Sequence, residues 1–346
     1  VPVTADAPPP QPDPSRPAPA PAPAPGRPSP RDPAPQAPRS PAERERRAAE
    51  LTRGRTRRRG ISPAYAYVAP WFVAFGLFAL VPMIMSAYMS LTDWPVIGSP
   101  TWRGLGNFTE LARDEQFWRS LWVTVRFGVV SVPLGMAASL TVAMVLNSRV
   151  RGLSLYRTIY YLPAVVSGVA VGLIWRWVLD PTAGLVNGGL GLIGVQGPGW
   201  LTDPAWVLPS YTMVALWGAG GGMLTYLVAL NEVPRDLGEA ARLQGAGWWA
   251  RLWFVTLPLM RPILFYNLVM GIIGAFKKFN DAYVLGGAGG EGNFLMLHIY
   301  RTAFEHFRMG YASAMSWVFL VIVLAVTALV FRFSDFWTFS RANEES

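Results

Sequence analysis

Cysteine is absent from the chain, and histidine occurs only at His298 and His306. The first absence excludes disulfides, Cys-ligated zinc, iron–sulfur centres and thiol nucleophiles. The scarcity of histidine, with no HExxH, argues against a His-based zinc site. No GxxxxGK[ST] and no GxSxG occurs, so neither a phosphate-cradling loop nor a serine-hydrolase elbow is visible. Charge is also sparse, at 15% of 346 residues against about 25% in an ordinary soluble domain. Residues 1–60 hold 12 of the 30 Lys+Arg and 6 of the 21 Asp+Glu, but none of the 15 Trp. What remains in 61–346 is too apolar for a single water-soluble domain.

The two parts are different materials. Residues 1–41 carry 17 of the 31 prolines, with Pro17 to Pro25 at every second position. Proline lacks a backbone donor, and the segment has too little apolar surface to offset ordering, so it reads as disordered or polyproline II. Arg44, Arg46, Arg47, Arg53, Arg55, Arg57, Arg58 and Arg59 follow. Beside a long apolar stretch, this basic run reads as a juxtamembrane anchor rather than a nucleic-acid patch. The expected division is therefore a tail over 1–60 and a membrane domain over 61–346.

About 20 apolar residues cross a bilayer as a helix. Six stretches qualify, at about 64–92, 121–146, 157–179, 207–230, 262–285 and 313–334. The predicted fold class is an all-α membrane protein with six transmembrane helices. Gly218 to Gly222 interrupts the fourth span, through either close helix packing or local unwinding. With the amino terminus inside, inner segments carry 21 Lys+Arg and outer loops 5. The positive-inside rule thus predicts both termini in the cytoplasm. Arg126 and Arg176 near span ends are expected to be interfacial, and both histidines to lie on an outer-loop surface.

The inner loop at about 232–260 is too charged to span and too patterned for a linker. Pro234 suits the first turn of a helix, and Asp236 and Glu239 complement its dipole. Ala240 and Ala241 give a small face, while Gly245 and Gly247 allow a sharp turn. A second short helix is expected over Trp248–Val255, ended by Leu257-Pro258. The product is a helix–turn–helix finger.

Glu239-Ala240-Ala241, three residues, Gly245, nine residues, Val255, one residue, Leu257-Pro258 is similar to the EAA loop of permease subunits in binding-protein-dependent ABC importers. The six of these that match the family, all but Val255, arise by chance roughly once in 10⁷ starting points at ordinary residue usage. A looser resemblance over about 61–340 includes Tyr156 to Pro163, Trp175, Asp180-Pro181, Trp200 to Pro204, Phe279-Asn280-Asp281 and Gly310 to Ala314. It points to the carbohydrate-type subfamily, and within it to the first permease of maltose and glycerol-3-phosphate-like systems. Gln244 stands where that family usually has Asp, and Val255 where it has Ile. The Pro/Ala tail lies outside the resemblance.

The resemblance implies a type I ABC importer permease in a bacterial plasma (inner) membrane. An extracytoplasmic solute-binding protein would deliver a sugar or related polyol. This chain and a second permease subunit would form the pathway, and an ATP-binding cassette ATPase dimer would supply energy. The chain itself would be non-catalytic and hold no cofactor, ATP being bound by the partner subunits. Glu239, Ala240, Ala241, Gly245, Leu257 and Pro258 would couple ATPase closure to the helices.

The solute pathway is less visible. Asn280, Asp281 and Tyr283 in span five, with Lys277 and Lys278 nearby, read either as a polar pathway stripe or as a helix break with lysines reaching headgroups. Tyr226 beside the glycine cluster marks another candidate wall. An ion-coupled secondary transporter or channel is the alternative. Such carriers often show internal repeats, none of which is clear here, and do not need the EAA finger.

Overall fold

The computed structural model describes residues 63–95, 98–147 and 152–333, together with Ala42. The Pro/Ala and Arg-rich expectations lie outside the described residues, as do Arg149, Arg151 and the segment after Phe333. The chain forms two units, residues 1–72 and 73–346.

The architecture is helical. Helix α1 (Pro63–Phe75) passes through a π-turn (Gly76–Leu80) into α2 (Val81–Ser90). Two short strands, β1 (Thr92–Asp93) and β2 (Thr101–Trp102), pair antiparallel. Next come α3 (Gly106–Arg113), the long α4 (Glu115–Leu146), α5 (Leu153–Val165), α6 (Gly168–Val178) and α7 (Leu185–Leu192). Helices α8 (Pro204–Trp217) and α9 (Gly220–Glu232) lead to the finger: α10 (Arg235–Leu243), α11 (Trp248–Arg251), a π-turn (Leu252–Thr256) and α12 (Leu257–Leu259). The chain closes with α13 (Arg261–Phe276), α14 (Asn280–Leu285), α15 (Leu295–Phe304) and α16 (Met309–Arg332).

Four helical runs are long and apolar enough to cross a membrane: Tyr67–Ser90, Glu115–Leu146, Arg261–Leu285 and Met309–Arg332. Two bent pairs, α5 with α6 and α8 with α9, raise the number to six. No more than 28% of any of the four is buried within the chain. Their outward apolar faces need lipid or another subunit.

Two spans start earlier than their apolar runs suggest. Helix α4 begins six residues before 121 because the Asp114 carboxylate accepts the Gln116 and Phe117 amides at 2.9 and 3.2 Å. Helix α16 begins at Met309, where a Cβ on Gly310 would overlap the Thr92 carbonyl oxygen. The third span is not straight. Val166 and Ser167 are extended, and the pair bends by 98°. This turns Gly168 and Gly172 of α6 against Asn280, Asp281 and Val284 of α14. One helical turn apart, the two glycines let the helices approach closely.

The glycine cluster of the fourth span both packs and bends. A Cβ at Gly220 would overlap the Tyr160 carbonyl oxygen, and one at Gly222 would sit 2.9 Å from Ser139 Oγ. Ser139 Oγ donates to the Ala219 carbonyl at 2.6 Å, within the 49° bend. Helix α4 is the central element, packed by α8, α9, α13 and α15.

Candidate functional site: an exposed finger and a membrane cavity

The finger follows from local rules. Pro234 caps α10 from just outside its first turn. At the other end the Ala246 amide donates to the Ala241 carbonyl and the Gly245 amide to Arg242, each at 3.0 Å. This is a Schellman closure with Gly245 at φ +85°. Gly247, expected to share in the turn, has an ordinary φ of −66° and caps α11. The expected second helix over Trp248–Val255 is present: α11 runs on without a break into a π-turn in which the Leu257 amide donates to the Leu252 carbonyl, and the helical path reaches Leu259. Pro258 does not stop the chain. It sits in the first turn of α12, where its missing donor costs nothing, and the break comes at Met260.

Glu239, Ala240 and Gly245 are exposed, and Ala241, Leu257 and Pro258 are partly so. Leu243 is 90% exposed. Among the described residues, no side chain from Val233 to Met260 makes a hydrogen bond or ion pair with the rest of the chain. A helix of this length is unstable alone in water. Here its preformed cap and proline start hold its shape while its outer face stays open.

Within the membrane region a cavity of 420 Å³ lies between α4, α8, α9 and α13. Ser131, Gly135 and Ser139 recur every fourth residue along α4, and Asn267, Gly271 and Lys278 come from α13 or its end. Tyr226 also lines it, with its hydroxyl buried and unpartnered. Lys278 closes one side. Its ammonium pairs with Asp281 and lies 4.6 Å from the Phe127 ring centroid and 5.4 Å from that of Tyr211. Of the two readings of span five, the break is present at 277–279, but Lys278 turns inward instead of reaching headgroups.

Tyr226 is thus the sequence candidate that reaches the cavity wall. Asn280 packs beside Gly168, Asp281 touches the cavity only through Lys278, and half-exposed Tyr283 joins a cluster with Phe279 and Tyr300. Ser131, Ser139 and Asn267 were missed, although a polar or small residue every fourth position in an apolar helix was the visible signal.

The end opposite the finger is tied together by side chains. Arg103 and Arg308 flank Glu110 at 2.9 and 2.6 Å. Burial pushes the Glu110 carboxyl up, but Arg308 and Arg103 outweigh it and hold the group below its ordinary value. Tyr311 donates to Asp114 at 2.6 Å. Arg126 pairs with Glu291 at 3.3 Å and Arg176 donates to the Val284 carbonyl at 3.3 Å. Both arginines, expected near the ends of spans, thus bind protein groups on neighbouring elements. His298 is buried in α15, not on the surface, and burial pushes its pKa down; His306 is exposed as expected.

A helical membrane domain with an EAA-type finger at one end defines the permease class of ABC importers. The chain belongs to the family described as "Binding-protein-dependent transport system inner membrane component", whose model matches residues 131–337. It is 37% identical over 302 residues to the probable ABC transporter permease protein YesP of Bacillus subtilis, covering 85% of this chain and 97% of that one. It is 33% identical to the lactose transport system permease protein LacF of Rhizobium radiobacter, over 77% of this chain and 92% of that one. A solved bacterial ABC transporter involved in import of the acidic polysaccharide alginate contains a chain matching at TM-score 0.72 and 25% identity. That match covers 85% of this chain and all of the other. A related structure holds the alginate transporter with its pentasaccharide-bound periplasmic protein.

Proposed function

We propose that this permease forms half of a pathway for a sugar or related polyol delivered by an extracytoplasmic solute-binding protein. A second permease subunit forms the other half. The chain performs no catalysis; an ATPase dimer on the cytoplasmic side binds ATP and closes around the finger. The observation that carries this reading is the exposed, preformed α10 with Glu239, Ala240 and Ala241 presented away from the helices. A lever needs a stiff shape and an untied outer face, and Gly245 closes the helix without occupying that face. Leu257 and Pro258 transmit the movement to α13. The Lys/Arg asymmetry supports a cytoplasmic finger and cytoplasmic termini. Deletion of residues 1–41, which fall outside the family resemblance, is expected to leave transport intact.

The cavity is the solute pathway in this reading. The Tyr226 hydroxyl, Ser131 and Asn267 offer the hydrogen-bonding groups that sugar hydroxyls require. Of the other candidates, Asp281 acts on this cavity through its pair with Lys278, while Asn280 and Tyr283 would serve the pathway from outside its lining. Relatives named for lactose, for trehalose/maltose and for starch degradation products support a carbohydrate.

The test is Glu239→Ala in the reconstituted transporter. Solute uptake falls tenfold or more while the subunit inserts normally and ATP hydrolysis continues. Uptake at the wild-type rate would remove the coupling role.

A further inference from the structure

The underside of the finger holds a cation without a counter-charge. A second cavity, of 240 Å³, lies between the finger and the ends of α4 and α9, lined by Met144, Asn147, Leu230, Trp248, Arg251 and Thr256 among others. Arg251 Nε is buried and has no hydrogen-bond partner among the described residues. Among the described residues, no carboxylate pairs with this guanidinium. Arg251 is partly exposed, so its guanidinium stays charged with its terminal nitrogens free to meet an anion at the mouth of the cavity. Asn147 and Thr256 supply polar groups but no charge.

The neighbouring surface indicates where the anion comes from. Trp248, Trp249, Trp253 and Phe254 fall within seven residues of chain and are all exposed, Phe254 at 81%. Aromatics of this density at a span end lie at the level of bilayer headgroups. The cavity combines this aromatic border with apolar walls from Met144, Leu230 and Val255 and one planar guanidinium. Free phosphate has no use for the apolar walls, whereas a glycerophospholipid fills them with its glycerol and upper acyl carbons.

We propose that this cavity binds the phosphate of an anionic phospholipid from the cytoplasmic leaflet, with the Arg251 guanidinium as its principal ligand. The guanidinium fork matches two phosphate oxygens, and the cytoplasmic leaflet carries the negative surface charge. Gly238 of α10 lines the same cavity, so a bound lipid braces the finger from behind. The proposal rests on the cytoplasmic placement of the finger given above.

The experiment uses the full chain purified with its partner subunits and exchanged into equal phosphatidylglycerol and phosphatidylcholine, with retained lipid counted by native mass spectrometry. The wild type retains phosphatidylglycerol over phosphatidylcholine at least tenfold. Arg251→Gln lowers that retention tenfold, and Arg251→Lys, which keeps the charge but loses the fork, lowers it by less. Absence of headgroup preference in the wild type, or unchanged retention in Arg251→Gln, overturns the proposal. So does release of the lipid by millimolar inorganic phosphate, which would mark a free-anion site. Should Arg251→Gln fail to insert, the wild-type preference and the Arg251→Lys result still decide. Orientation is read separately. The chain has no cysteine, so Leu243→Cys gives a single label site, and a membrane-impermeant maleimide reaches it only from the cytoplasmic side. Labelling from outside would sink the orientation while leaving the lipid measurement interpretable.

Discussion

The two ends of the membrane domain are built on opposite principles. At the end carrying α3, β1–β2 and α15, side chains tie one element to another. Asn107 donates to the Ser90 and Thr92 carbonyls, Arg308 crosses to Glu110, Tyr311 reaches Asp114, and Asn293 donates to Ser120. At the finger end, no side-chain hydrogen bond or ion pair ties the described residues to their neighbours, and α10 is shaped by backbone rules: a proline start, a left-handed glycine and a following π-turn. The difference teaches that rigidity can come from within an element or from its neighbours. An element meant to be gripped by another protein needs the first kind, because tertiary bonds on its face would have to be broken at each cycle. The cross-tied end instead fixes α4, α15 and α16 as a platform.

Glycine substitutions give the largest test of this contrast. Gly220 and Gly245 look alike in sequence, yet a Cβ at Gly220 meets the Tyr160 carbonyl oxygen and one at Gly245 meets nothing within 4 Å. Gly220→Ala forces α5 and α9 apart and costs on the order of 3 kcal/mol, the upper range for overpacking. Gly245→Ala costs only the strain of its positive φ, about 1 kcal/mol. Thermal unfolding in detergent should therefore drop clearly for the first and little for the second. Uptake per ATP hydrolysed should drop in the second because the αL turn aims the finger. Equal loss of stability in both would erase the distinction between a packed bundle and a self-held finger.

A smaller effect is expected inside the bundle. Tyr226→Phe removes one hydroxyl from the 420 Å³ cavity and leaves the ring packed with Ala143 and Met223. Because that hydroxyl has no hydrogen-bond partner among the described residues, its loss should not lower stability. Solute uptake should fall several-fold with basal ATPase activity retained, a split read in the same proteoliposomes. Unchanged uptake kinetics would mean that the hydroxyl takes no part in the pathway.

Much of this plan was legible in the residues. Six apolar runs gave the spans because hydropathy is a local property, and the finger was legible because its proline, alanine pair and glycine act within one or two helical turns. The 98° bend at Val166–Ser167 was not legible, since Pro163 and Gly168 are equally compatible with a straight packed helix. Lys278 was ambiguous for a different reason. Its choice between headgroups and the interior depends on Phe127 and Tyr211, which lie far away in sequence. His298 looked like a loop residue because α15 is too short and mixed to announce that it packs against the platform.

The smallest expected effect concerns a turn beyond α6 that resembles the finger in being held locally, but by a charge. The Asp180 carboxylate accepts the Ala183 amide at 2.8 Å, the Thr182 amide at 2.9 Å and the Thr182 hydroxyl at 2.7 Å. These bonds, that from the Ala183 amide foremost, favour the ionised form and hold its pKa below the ordinary aspartate value. A group with a depressed folded pKa stabilises the turn fully above its unfolded pKa of about 3.9 and loses that contribution as pH falls through the folded value. Thr182 and Ala183 are exposed to solvent and Asp180 is partly so, so the effect should be confined to local opening. Hydrogen exchange at Thr182 and Ala183, corrected for intrinsic rates, should show steady protection from pH 7 down to about 5 and loss below about 4. Asp180→Asn should flatten that dependence and leave the finger amides unaffected. Protection that changes with pH in the variant as in the wild type would assign the turn to backbone geometry alone, and make it a second case of the finger's principle.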